Sequence, residues 1–209
     1  MMKIDSVASR PDRAGRHTVR FEDGTVMRLF PQTVQDFCLY PEKELTDEEF
    51  ASLKIAAGEM SAKMRAVRIL AATSVSKKDL EQRLVMKGEA PDQAKAAVDW
   101  VSELQLVDDA KTAEQVVHRC ISKGYGLARA KQALYEKRIP KQYWAEALQD
   151  YPEQEDAILD FLRERLDPDA TPKDVKKAMD ALLRRGHSYG QIRKGLAQLS
   201  VDTDDLPEG

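Results

Sequence analysis

The sequence predicts a mainly α-helical protein built from three tandem three-helix repeats in an elongated array, with a small β-hairpin extension at its N-terminus. Three observations carry this expectation. Charged residues make up 33% of the 209 residues and aromatics 6%, a mixture rich in good helix formers. Three segments align so that Leu84, Leu134 and Leu182 coincide at separations of 50 and 48 residues. Helix-start residues punctuate two of the aligned segments, Ser76 with Asp79 and Thr171 with Asp174.

The N-terminal stretch differs in kind. "HTVRFEDGTVMRLF" alternates around Glu22-Asp23-Gly24, and a loop ending at Gly24 places Val19, Phe21, Met27 and Leu29 on one face. "KIDSVAS" is the candidate third strand, since an isolated hairpin is marginal in water. From Thr46, "TDEEFASLKIAAGEM" opens with Thr46 and Glu49 in capping-box spacing and continues as a helix. These elements form an extension over residues 1–60.

The repeats follow as 61–109, 110–154 and 155–201, and an acidic tail occupies 202–209. Each repeat begins with a helix: Ser61 to Thr73, Asp109 to Lys123, and Glu155 to Asp167. A second helix, a turn and a third helix complete it. In the alignment Leu80, Ala130 and Ala178 match before the leucines, and Gly88, Arg138 and Gly186 match after them. Beyond the turn, Ala94, Tyr143 and Ile192 correspond, then Val98, Ala147 and Leu196. Ser76 with Asp79, Thr171 with Asp174, and Ser188 with Gln191 supply N-terminal caps, and Pro91, Pro140 and Pro172 sit where a first-turn proline is tolerated.

Charge is patterned on the same period. The net charge is −3, yet Lys63–Gly88 carries seven Lys/Arg against two acids, Lys111–Leu148 eight against three, and Lys173–Lys194 seven against two. Acid-rich blocks lie between them: Glu89–Asp109 has one basic residue against six acids, and Asp150–Asp169 two against eight. A basic helix face is ordinarily a solvated surface, but threefold recurrence singles out Lys77, Lys78, Arg83 and Lys87, then Arg129, Lys131, Lys137 and Arg138, then Lys176, Lys177, Arg184 and Arg185 as a candidate partner-binding stripe.

Other functional classes find less support. The Gly-Tyr-Gly at 124–126 precedes a helix, but it follows a helix rather than a strand and has neither the third glycine nor the Gly-Lys-Ser/Thr that phosphate loops use. Gly126 therefore reads as a small residue at the start of a helix or in a tight turn. His17, His118 and His187 have no mutual spacing for a metal, and no cofactor is expected. Asp108 and Asp109 read as a helix cap rather than an acid–base pair. Trp100, Tyr143 and Trp144 fall on apolar helix positions and read as core. No nucleophile elbow or Cys/His catalytic signature occurs, so the protein is not expected to be an enzyme. The longest charge-free run, Ile69–Ser76, is too short for a membrane span, and Cys38 and Cys120 form no CxxC. A soluble, cytoplasmic monomer is expected.

The segment "LVDDAKTAEQVVHRCISKGYGLARAKQALYEKRI" resembles the central signature of the RecX family, with its Leu-x-Asp-Asp opening, an early Ala, a Lys-Gly-x-Gly turn and a helix ending before Ile. "RILAATSVSKKDLEQRLVMKG" is similar to the family's first repeat, and the hairpin followed by "KELTDEEF" to the extension of its longer members. Arg138 stands where the family usually has Gly. The resemblance implies a non-enzymatic regulator that binds the filament of the RecA recombinase on single-stranded DNA and inhibits its ATPase, strand-exchange and co-protease activities. It places the protein in recombination, DNA repair and the SOS response. The alternative is a helical module that binds DNA, single- or double-stranded, or RNA without sequence preference, the same cations meeting phosphates directly.

Overall fold

A computed structural model describes residues 1–167 and 169–199, and the chain divides into two compact units, Met1–Val107 and a second beginning at Asp108. The acidic tail expected over 202–209 and the last two residues of the third repeat lie outside the described residues.

The first unit opens with an antiparallel sheet of β1 (Met2–Val7), β2 (His17–Phe21), β3 (Val26–Leu29) and β4 (Glu44–Leu45), in the order β3-β2-β1-β4. The hairpin has the register that alternation requires: Val19 pairs with Met27 and His17 with Leu29. Gly24 takes φ +86°, and Asp23 accepts from the Thr25 N–H at 2.9 Å, so the turn is held by its own side chain. Val19, Phe21 and Leu29 bury with Ile4, Leu39, Leu45 and Leu53, while Met27 packs at the margin. "KIDSVAS" does supply a strand, β1. Two elements lie beyond the sequence expectation, β4 and a short helix α1 (Pro31–Asp36), because two residues carry no alternation and six carry little more than one helical turn.

Helix α2 (Asp47–Ala72) corrects one expectation. The sequence reading separates a helix after Thr46 from one starting at Ser61, but a single helix of 26 residues crosses that boundary. The Thr46–Glu49 capping box starts it, and between 46 and 61 only Gly58 disfavours helix, by about 1 kcal/mol. Gly58 is also where α4 crosses: a Cβ there would lie 2.2 Å from the side-chain nitrogen of Gln93. Helices α3 (Lys77–Met86) and α4 (Pro91–Glu103) pack on the C-terminal half of α2 around Ala66, Leu80, Leu84, Ala94, Val98 and Val101.

The second unit contains α5 (Asp109–Ser122), α6 (Leu127–Glu136), a 3-10 turn over Lys141–Tyr143 running into the one-turn helix α7 (Trp144–Ala147), then α8 (Glu155–Arg165), α9 (Pro172–Arg184) and α10 (Tyr189–Gln198). Asp108 caps α5, accepting from the N–H groups of Ala110 at 2.9 Å and Lys111 at 3.2 Å. Tyr143 and Trp144 pack against Ala113, Val117, Leu134 and Ile139, and Trp100 against the first unit's helical core, so these aromatics are structural. Ile158, Leu162, Val175, Leu182, Ile192 and Leu196 form the core of the last three helices.

Helices α3, α6 and α9 end identically. The carbonyls of Leu84, Leu134 and Leu182 accept from the N–H groups five residues on, at 3.1, 3.1 and 3.2 Å, and the residue before each donor is left-handed: Gly88 at φ +93°, Arg138 at +54°, Gly186 at +88°. This is the Schellman termination, which normally recruits glycine. The donors are Glu89, Ile139 and His187, all buried, and the two polar ones find partners. Glu89 pairs with Arg65 at 2.6 Å and accepts from Ser61 at 3.1 Å, while His187 bonds the Gly124 carbonyl at 3.0 Å.

Candidate functional site

All twelve cations of the expected stripe reach solvent at least in part, and all lie on or immediately after α3, α6 and α9. The structure brings them together only in groups. Lys77, Lys78, Arg83 and Lys87 belong to the first unit and the other eight to the second. Several are already engaged: Arg83 pairs at 3.0 Å with the buried Asp79, Arg129 with Glu136 at 3.2 Å, and Lys177 with Asp174 at 3.2 Å. Lys77, Lys137 and Arg138 also make side-chain or electrostatic interactions. Lys78, Lys131 and Lys176 are exposed and have no carboxylate partner among the described residues.

Within the second unit the junction of α5–α6 with α8–α9 is built by close backbone approach. The Gly126 N–H donates to the Arg185 carbonyl at 2.9 Å and the Ala128 N–H to the Gly186 carbonyl at 3.2 Å. A Cβ on Gly126 would sit 2.0 Å from the Gly186 carbonyl oxygen, and one on Gly186 would sit 2.2 Å from the Arg129 nitrogen. The glycine turn thus spends its N–H groups on the chain itself and has none aimed at a phosphate. Gly126 has φ −76° and needs no left-handed freedom; Gly124, at φ +62°, supplies that. Tyr151 donates to the Tyr125 carbonyl at 2.6 Å, and burial pushes its hydroxyl up to about 12. Burial likewise lowers the pKa of His187, whose Nδ1 has no partner, and raises that of the Cys120 thiol.

Beside this junction lies a cavity of about 490 Å³ lined by Tyr125, Arg129, Phe161, Arg165, Arg184 and Arg185. Three of its arginines belong to the expected stripe. Arg165 does not, because it sits in a block whose eight acids outweigh its two bases, and averaging over the block conceals one cation at the end of a helix. The legible signal is the Phe-x-x-x-Arg spacing of Phe161 and Arg165, which places ring and guanidinium on one helix face. Among the described residues no three of His, Cys, Asp and Glu converge as a metal site, and no helix is long and apolar enough to cross a membrane.

The model of the RecX second three-helix domain matches residues 108–148, the segment from the α5 cap through α7. Regulatory protein RecX of Chromohalobacter salexigens is 29% identical over 140 residues, covering 66% of this chain and 92% of that protein. RecX of Xanthomonas campestris pv. campestris is 30% identical over 139 residues, covering 65% and 85%. The chain belongs to the RecX family. The fold agrees: a crystal structure of regulatory protein RecX superposes with a TM-score of 0.63 at 20% identity, covering 93% of this chain and all of that one. RecX from Lactobacillus salivarius gives 0.58 at 21% identity, over 69% of this chain and 98% of that one. Both relatives are named as regulatory proteins.

Proposed function

We propose that the protein is a cytoplasmic, non-enzymatic, monomeric regulator that binds the RecA nucleoprotein filament and inhibits its ATPase, strand-exchange and co-protease activities. Its parts in this reading are the extension over 1–60 and three-helix repeats over 61–109, 110–154 and 155–201. Family membership supports the partner. The observation that carries the surface is the identical termination of α3, α6 and α9: three helices of one local geometry each present exposed cations, so one repeating partner can be met three times. Linked weak contacts raise avidity without any single tight site.

Charge reversal at Lys78, Lys131 and Lys176 tests this reading, since these cations are exposed and their loss leaves no buried carboxylate behind. An exposed ion pair is worth up to about 1 kcal/mol, and at about half that for each contact the loss of three weakens inhibition roughly tenfold. Circular dichroism stays unchanged and added salt weakens the wild type. Full inhibition by the folded triple variant rules out the basic helices and sends attention to the acid-rich third helices or the sheet.

A further inference from the structure

The arginine cavity of the second unit holds more positive charge than the fold requires. Arg165 and Arg184 lie at the C-terminal ends of α8 and α9 and Arg185 just beyond, where a cation complements the helix dipole. That accounts for one cation at each end but not for their convergence. Arg129 lies in the first turn of α6, where the dipole disfavours a cation, and it still lines the same space. Its pairing with Glu136 gives the only carboxylate bound to any of the four among the described residues.

The guanidinium groups are also held in place. Arg165 lies 4.6 Å and Arg185 5.0 Å from the centroid of the Phe161 ring, and Arg185 lies 5.6 Å from that of Tyr125. Contact with the aromatic faces restrains both guanidinium groups; Arg185 donates one N–H to the Lys123 carbonyl at 3.5 Å, and the remaining N–H groups are left for a ligand, the arrangement that binds anionic oxygens in pairs. Phe161 is 7% exposed, so the ring supports the cations and offers no open apolar floor to a peptide side chain. A cavity of about 490 Å³ is many times the volume of one water, about 30 Å³.

We propose that this cavity is a phosphate-binding site, with Arg129, Arg165, Arg184 and Arg185 as its donors, taking successive phosphate groups from the backbone of single-stranded nucleic acid or from a free polyphosphate. The glycine turn beside it contributes shape and no N–H group. The site does not depend on RecA binding, and its test contains no RecA, so either reading can fail alone.

The assay is fluorescence anisotropy of a labelled oligothymidylate of about 30 nucleotides, titrated with the full chain between about 50 and 200 mM salt. The wild type binds with log affinity falling linearly in log salt. The variant R165Q/R184Q, altered at two exposed side chains, binds at least about tenfold more weakly, and its salt slope shrinks by roughly 1.4, about 0.7 for each lost phosphate contact. R163Q, on the same helix but outside the cavity and paired with Asp160, behaves as wild type. Sodium triphosphate that displaces the oligomer from wild type identifies a site open to free polyphosphate; triphosphate that does not displace it assigns the site to the polymer. Four outcomes overturn the proposal: no binding of either probe, wild-type binding by folded R165Q/R184Q, equal weakening by R163Q, or displacement by hexaglutamate better than by triphosphate.

Discussion

Gly126→Ala tests how the second unit is joined. The added Cβ would lie 2.0 Å from the Gly186 carbonyl oxygen, 2.2 Å from its carbon and 2.4 Å from the His187 nitrogen. All three are backbone atoms, so no side-chain rotation relieves the clash, and the two backbone segments must move apart by more than about 1 Å to reach ordinary contact. Overpacking of this kind costs about 1–3 kcal/mol. The movement also stretches the Gly126–Arg185 and Ala128–Gly186 hydrogen bonds, each worth about 1 kcal/mol net. These terms share one displacement and do not add fully, so the expected loss is about 3 kcal/mol. For a chain of this length that lowers Tm by about 6–12 °C. Gly190→Ala in α10 is the control: nothing lies within 4 Å of its Cβ position, and stability should stay within about 0.5 kcal/mol of wild type or rise. Urea unfolding followed by circular dichroism measures both. If Gly126→Ala also falls within about 0.5 kcal/mol of wild type, the close approach of the two backbones does not hold the unit together.

Glu89→Ala removes a buried carboxylate that holds Arg65 and Ser61, and should cost about 2–3 kcal/mol, whereas Glu89→Gln, which can still accept from both, should cost about half as much. His187 should make stability fall at acid pH. Its pKa in the fold lies below the ordinary 6.5, so the native state holds it neutral, and its contribution is present above 6.5 and is lost as pH falls through 6.5 towards the lowered value. His187→Asn should flatten that limb of stability against pH relative to wild type. Arg138→Gly should raise stability by about 0.5–1 kcal/mol in the same urea assay, because a side chain in the left-handed region is strained; a decrease would mean that its contacts outweigh the strain.

The repeat was legible because its carriers are regular. Leu84, Leu134 and Leu182 are wholly buried at one place in three helices, and Ser76, Asp108, Thr171 and Ser188 accept the first-turn N–H groups that their residue types announce. The hairpin was legible because Gly24 punctuates a strict alternation. Helix α2 does not divide where the sequence repeat begins, because a repeat boundary is not a break in the backbone, which needs more than one glycine. The third helix of repeat 2 is only a 3-10 turn and α7, a shortening that apolar spacing alone does not register.

The candidate site was half legible. Periodicity reveals the cations of α6 and α9, but that Arg129 meets Arg184 depends on Gly126 and Gly186, sixty residues apart in sequence, packing backbone to backbone. Arg165 lies in a stretch where acids outnumber bases. A tally of charge along the chain weighs neighbours in sequence, whereas the cavity collects the ends of separate helices. The pairing of Arg83 with buried Asp79 likewise removes one stripe residue from ready exchange, which the charge pattern alone could not foretell.

The central claim is regulation of RecA, and the most direct measurement is the DNA-dependent ATPase of RecA on single-stranded DNA with increasing amounts of this protein. The rate should fall as the protein is added, with the inhibition weakened by salt and by charge reversal at Lys78, Lys131 and Lys176. An ATPase rate that stays unchanged at a saturating concentration of folded protein would contradict it.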